Sequence, residues 1–174
     1  MAKEYVEMTD IEYVVDDQEK RSVYVHGMAK DMIIGGRDSG NVFILCLNDD
    51  LRKSVAAKVA EKLGREYVVV SRSDGNPVLE KLAGGDNQIV SLPRGAAKSE
   101  KIRKLLKDNG KVLFIMCDFM TLLAASDGSD DAREQISLML NRFEPSFMEA
   151  AHHIVRSDQS EEEILQDVLE KIAI

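Results

Sequence analysis

From Asn41 onward the chain alternates two hydrophobic patterns. Continuous apolar runs, NVFILCL, EYVVVS, QIVSL and KVLFIMC, are separated by stretches in which apolar residues recur every three or four positions: LRKSVAAKVAEKLG, a short VLEKLA and SEKIRKLLKDNG. Apolar runs of this kind are strands covered on both faces, and amphipathic helices between them make βαβ units around a buried parallel sheet. The first helix carries Leu51, Val55, Val59 and Leu63 on one face and reaches Gly64, a residue suited to a left-handed stop. Ser99 and Gly110 bracket the next helix in the same way. After Cys117, DFMTLLAAS reads as a short helix capped by Asp118, DGSDD as an exposed turn, and AREQISLMLNRF as a helix that stops before Pro145. HHIVRS is expected to be the last strand. SEEEILQDVLEKI is the last helix, opened by a capping box between Ser160 and Glu163.

Residues 1–40 differ in character. IEYVV and RSVYVH alternate in period two around a polar DDQEK turn, which predicts a β-hairpin, and GMAKDMIIGGRDSG reads as a linker to the first parallel strand. The pattern therefore divides the chain into an N-terminal extension, residues 1–40, and one α/β domain, residues 41–174. The expected architecture is three-layer α/β/α with a mostly parallel five-stranded sheet. The hairpin could pair edge to edge with a second copy to make a homodimer.

Composition narrows the function classes. A chain of 174 residues with 44% hydrophobic and 31% charged residues can bury a core without disulfides or metals. The formal net charge of −8 disfavours nucleic acid and anionic membrane as partners, since both reward a basic face. The N-terminal MAKEYVEMTDIEY lacks the apolar core of a signal or transit peptide, and no run approaches membrane-spanning length, so a cytoplasmic location is expected. Cys46 and Cys117 sit in apolar runs without metal-ligand spacing and read as core residues. His152 and His153 point to opposite faces of a strand and make poor metal ligands, so no metal site is expected.

The first strand–helix junction carries the functional question. In a nucleotide-binding domain this junction reads GxxxxGK[ST], so that backbone N–H groups, a lysine and the helix dipole converge on phosphate. Here it reads Cys46-Leu47-Asn48-Asp49-Asp50-Leu51-Arg52-Lys53-Ser54, with no glycine. Asp49 or Asp50 is expected to cap the helix with its own carboxylate where a phosphate would otherwise sit. A carboxylate about 5 Å from a phosphate charge costs roughly 3 kcal/mol at an effective dielectric near 20, so ATP would be repelled. Arg52, Lys53 and Ser54 keep two positive charges and a hydroxyl nearby, and an arginine can hold phosphate through two parallel hydrogen bonds.

The stretch NVFILCLNDDLRKSVAAKVAEKLGREYVVVS resembles the opening of the shikimate kinase family, which runs strand, GxxGxGK[ST], then a helix with AxxLG near its end. Without gaps, Cys46, Asp49 and Leu51 fall on the three glycines, Arg52 on the lysine, and Lys53 and Ser54 on the hydroxyl pair. IVSLPRGAAKSEKIRKLLKDNGKVLFI is similar to the family's strand, triple-glycine loop, helix and strand, with Pro93, Arg94 and Gly95 on the glycines. NRFEPSFMEAAHHIVRSDQSEEEILQDVLEKI resembles its C-terminal RxPxYxExAD, strand and helix. The resemblance spans roughly residues 41–174 and implies a P-loop kinase fold.

The departures bear on activity. The resemblance implies an Asp pair after the second strand that contacts magnesium and the shikimate hydroxyls, and Val69 and Ser71 stand at those positions. The family's longer acceptor cover and arginine-bearing lid correspond here only to SRSDGNP and SDGSDDAREQ. Arg142 lies near the substrate-binding arginine, one residue out of register with Pro145, and is a candidate for a residual anion contact. Phosphoryl transfer needs phosphate donors, a magnesium ligand and an acceptor-orienting carboxylate. The sequence supplies none of these cleanly, so no catalytic residue and no cofactor are expected, and the chain reads as a non-catalytic binding or regulatory module with an unknown protein or small-molecule partner. The alternative is an active small-molecule kinase of shikimate type with a rearranged loop that uses Arg52 and Lys53, which would imply ATP and magnesium.

Overall fold

The computed structural model of the protein describes residues 40–174; the expected hairpin, and the homodimer it would make, lie outside the described residues. Strand β1 (Asn41–Cys46) leads into α1 (Asp49–Leu63), β2 (Glu66–Val69), α2 (Asn76–Ala83) and β3 (Gln88–Ser91). A 3₁₀ helix (Arg94–Lys98) then precedes α3 (Glu100–Asn109), β4 (Gly110–Met116) and α4 (Phe119–Ala124). The chain ends with α5 (Asp130–Ala150), β5 (His153–Arg156) and α6 (Glu161–Ala173).

The sheet order is β2-β3-β1-β4-β5, and every pairing is parallel. Six consecutive residues of β1 are buried, as expected for a central strand covered on both faces. Helix α1 leads from β1 toward β2, whereas α3 leads from β3 to β4 in the opposite direction along the sheet. Right-handed crossovers therefore put α1 and α3 on opposite faces. Helix α1 packs with α6, and α3 with α2 and α5, which completes the three layers. Reversal of direction at β1 leaves a crevice beyond the carboxyl ends of the strands, the usual ligand position in open α/β sheets.

Two local expectations are corrected. Helix α5 does not stop before Pro145 but continues through it to Ala150. Packing outweighs the lost N–H: Phe147 is fully buried, meets Phe114 edge-on at 5.3 Å between ring centroids and lies 6.3 Å from Phe143. Gly64 is the left-handed stop the sequence suggests, with φ of 63°, but Gly110 is extended. Its missing side chain serves close approach instead, because a Cβ there would lie 2.4 Å from the Asn41 carbonyl oxygen. The capping box at Ser160 and Glu163 and the Asp118 cap are present. Among the described residues, no helix is long and apolar enough to cross a membrane.

Candidate functional site at the carboxyl edge of the sheet

Only Leu47 and Asn48 separate β1 from α1, so Asp49, Asp50 and Leu51 lie inside the first turn of the helix. The helix cap is Asn48, not Asp49 or Asp50: its Oδ1 accepts from the backbone N–H groups of Asp50 and Leu51, both at 3.1 Å. The Asn48 carbonyl takes the Arg52 N–H at 3.0 Å. A short amide reaches these donors from the cap position, which frees the Asp49 carboxylate to turn sideways.

Asp49 turns into a cluster of arginines. Its Oδ1 lies 2.6 Å from Arg52, and its Oδ2 lies 2.8 Å from Arg72 and 3.5 Å from Arg94. Burial pushes the Asp49 carboxyl up. The Arg52 hydrogen bond, the charges of Arg52 and Arg94 and the Arg72 hydrogen bond outweigh that and hold it below the ordinary carboxylate range. Arg52 itself is only 2% exposed. It donates to Ser91 Oγ at 3.0 Å and to the Cys46 carbonyl at 3.3 Å, so its guanidinium is directed into the sheet edge. Lys53 and Asp50 are exposed, and Ser54 faces α6, donating to Glu161, which also holds Lys58.

Pro93, Arg94 and Gly95 form the start of the 3₁₀ helix and one wall of a cavity of about 370 Å³. Arg142, from α5, reaches the same cavity, so the structure brings together the substrate-loop positions, Arg142 and two of the arginine partners of Asp49, Arg72 and Arg94. Sequence reasoning missed Arg72, Asp74 and Lys98, which also line it. Arg72 and Asp74 had a signal in their place directly after β2, beside the lost Asp pair. Val69 is exposed at the end of β2, and the Ser71 hydroxyl pairs with Ser73. Asp74 turns its Oδ2 back onto the Ser71 N–H at 2.7 Å.

Cys46 and Cys117, distant in sequence, meet in the core with their sulfurs 3.5 Å apart. The contact with Cys117, then burial, raises the Cys46 thiol well above its usual range. The Cys46 contact, against burial and with help from Ser157 and the Asn48 backbone, lowers Cys117 to about 7. His152 serves structure, its Nδ1 accepting the Val112 N–H at 2.9 Å. Among the described residues, no group of three or more His, Cys, Asp or Glu side chains is placed to hold a metal ion.

Asn48 engages the N–H groups of Asp50 and Leu51, Arg52 at the lysine position is buried and paired, and the Asp49 carboxylate already sits among the cations.

The family model for shikimate kinase matches residues 47–173. A shikimate kinase from Salinibacter ruber is 26% identical over 137 residues, covering 69% of this chain and 65% of that protein, so the chain spans just under two thirds of this relative's length. Among solved structures, a shikimate kinase from Acinetobacter baumannii in complex with shikimate superposes with a TM-score of 0.65 at 18% identity, covering 76% of this chain and 92% of that one. A shikimate kinase from Bacteroides thetaiotaomicron gives 0.65 at 15% identity, covering 78% and 99%. At such identities the structural likeness bears on the fold.

Proposed function

The chain belongs to the shikimate kinase family, and from that premise we propose that it is a non-catalytic member, a module that binds a small anion in the cavity beyond the sheet edge without transferring phosphate from ATP. The observation that carries this reading is the Asp49 carboxylate held by Arg52, Arg72 and Arg94, an internal anion at the strand–helix junction. A second anion placed there would meet Asp49 at short range in a partly desolvated site, where repulsion is weakly screened. The module acts by binding, on a protein or small-molecule partner, and needs neither nucleotide nor metal.

Family membership itself favours the competing reading, an ATP-dependent small-molecule kinase with a rearranged loop using Arg52 and Lys53. That enzyme would have to withdraw Arg52 from Ser91, the Cys46 carbonyl and Asp49, and expose a guanidinium that is now 2% accessible.

Thermal unfolding with and without Mg-ATP, Mg-ADP and shikimate separates the two. A ligand at one hundred times its dissociation constant adds about 2.7 kcal/mol of stability. The non-catalytic reading expects no shift with either nucleotide. A nucleotide-dependent shift, with shikimate phosphorylation that disappears when Arg52 and Lys53 are both changed to alanine, would establish the kinase.

A further inference from the structure

The two cysteines of the chain lie 71 residues apart in sequence and in contact in the fold. Cys46 ends β1, and Cys117 lies just past β4, two residues beyond Ile115, the register partner of Cys46. Side chains two residues apart share a face of a sheet, so this spacing turns both thiols to the same side. There the sulfurs stand 3.5 Å apart.

The surroundings favour reaction at one of the two. Ser157, just past β5, is 7% exposed, and among the described residues its Oγ has no hydrogen-bond partner. Its hydroxyl proton is therefore available to a thiolate at Cys117. The contact with Cys46, with help from Ser157 and the Asn48 backbone, lowers Cys117 to about 7 despite its burial, whereas the same contact and burial raise Cys46. One sulfur ionises near neutrality while the other keeps its proton, which pairs a nucleophilic thiolate with a resolving thiol.

We propose that Cys46 and Cys117 form a dithiol modification site that hydrogen peroxide closes to a disulfide. The Cys117 thiolate attacks one peroxide oxygen. An S–O bond forms, the O–O bond breaks, and the leaving hydroxide takes up the proton that Cys117 released, giving water and a sulfenic acid. The Cys46 sulfur then attacks the Cys117 sulfur, so that the S–S bond forms, the S–O bond breaks, and the hydroxyl departs as water with the Cys46 proton. Two thiols lose two electrons in all, and one peroxide becomes two waters. Closure brings the sulfurs from 3.5 Å to about 2.05 Å. Both are covered, so only a small oxidant is admitted, through local opening of the strand ends. The bond would form directly beneath the Asp49 cluster, because the Cys46 carbonyl accepts from Arg52 and Leu47 leads on to the Asn48 cap. Its formation is independent of whether the chain binds nucleotide.

Treatment of the reduced full chain with hydrogen peroxide, alkylation of the remaining thiols and intact-mass spectrometry provide the test. The native chain should become a monomer lighter by two hydrogens with no thiol left to alkylate, and dithiothreitol should restore both thiols. Cys46→Ala should stop at a sulfenic acid on Cys117, heavier by one oxygen and trapped by dimedone, whereas Cys117→Ala should leave Cys46 unoxidised after the same exposure. Without any variant, the disulfide form should unfold at a higher urea concentration than the reduced form, because the bond closes a loop that the fold already holds closed. Thiols left intact, oxygens gained without loss of hydrogens, a disulfide only between two chains, or Cys46 oxidised as readily in Cys117→Ala would overturn the inference. So would a disulfide that leaves the urea midpoint unchanged or lowers it, since the fold would then not hold the two sulfurs within bonding reach.

Discussion

Replacing Asp49 by asparagine removes the one carboxylate that offsets the buried Arg52 while keeping its size. Arg52 would retain Ser91 Oγ and the Cys46 carbonyl, so the loss is that of the ion pair and not of every hydrogen bond. Removing one partner of a fully buried pair costs about 3–5 kcal/mol. Asp49 has a side-chain exposure of 27% and the Arg72 contact is mostly in solvent, so the surface part of the cluster is discounted. The expected loss is about 2–3 kcal/mol, which for a domain of this size lowers Tm by roughly 5–10 °C. Urea unfolding followed by circular dichroism measures it, with Asp50→Asn as control. Asp50 is exposed and takes no part in the cluster, so its loss should cost no more than about 0.5 kcal/mol through the helix dipole. The Asp49 carboxyl is held below its ordinary range, so its contribution is present above the unfolded value near pH 4 and is lost as pH falls through the folded value. The asparagine variant should lack that part of the acid sensitivity. If Asp49→Asn and Asp50→Asn unfold at the same urea concentration, Asp49 does not neutralise a buried arginine and the reasoning fails.

Three other outcomes follow from particular contacts. Asn48→Ala should cost about 1 kcal/mol by orphaning two N–H groups of α1, with Asn48→Ser recovering most of it in the same urea assay. Gly110→Ala should destabilise by about 1–3 kcal/mol, since its methyl would meet the Asn41 carbonyl oxygen and the Phe43 ring; an unchanged midpoint would show that β4 does not approach β1 so closely. Burial, then the charges of Lys107, His153 and Lys111, lower the His152 pKa, so its contribution to stability is complete above about pH 6.5 and is lost as pH falls through the lower folded value. In His152→Asn, which can still accept the Val112 N–H, Tm should fall less between about pH 7.5 and pH 5.5 than in the native chain.

The strands and helices were legible because each follows from local chemistry. Continuous apolar runs gave parallel strands, largely buried in β1, β3 and β4, whereas β2 lies at the sheet edge and is mostly exposed, and Asp118 and Ser160 marked helix starts that the structure retains. Pro145 misled because its local cost is real but small beside the burial of Phe147, which lies beyond it on the same helix. The cap was misassigned for a related reason. Asn48, Asp49 and Asp50 are all good cap residues, and only the tertiary placement of Arg52, Arg72 and Arg94 decides that Asp49 turns away from the helix axis. Arg72 comes from the loop after β2 and Arg94 from the start of the 3₁₀ helix after β3, so their meeting depends on the strand order β2-β3-β1, which no local pattern displays. The pairing of Lys98 with Arg142 across Phe143 likewise needs the 3₁₀ helix to pack on α5.

The most direct test of the internal-anion account is calorimetric titration of Mg-ATP and of inorganic phosphate into the native chain and into Asp49→Asn. The account predicts no saturable heat from Mg-ATP in the native chain, and tighter phosphate binding in the variant than in the native chain, since three arginines would be left without their carboxylate. Saturable Mg-ATP binding by the native chain, weakened by Arg52→Ala, would contradict it.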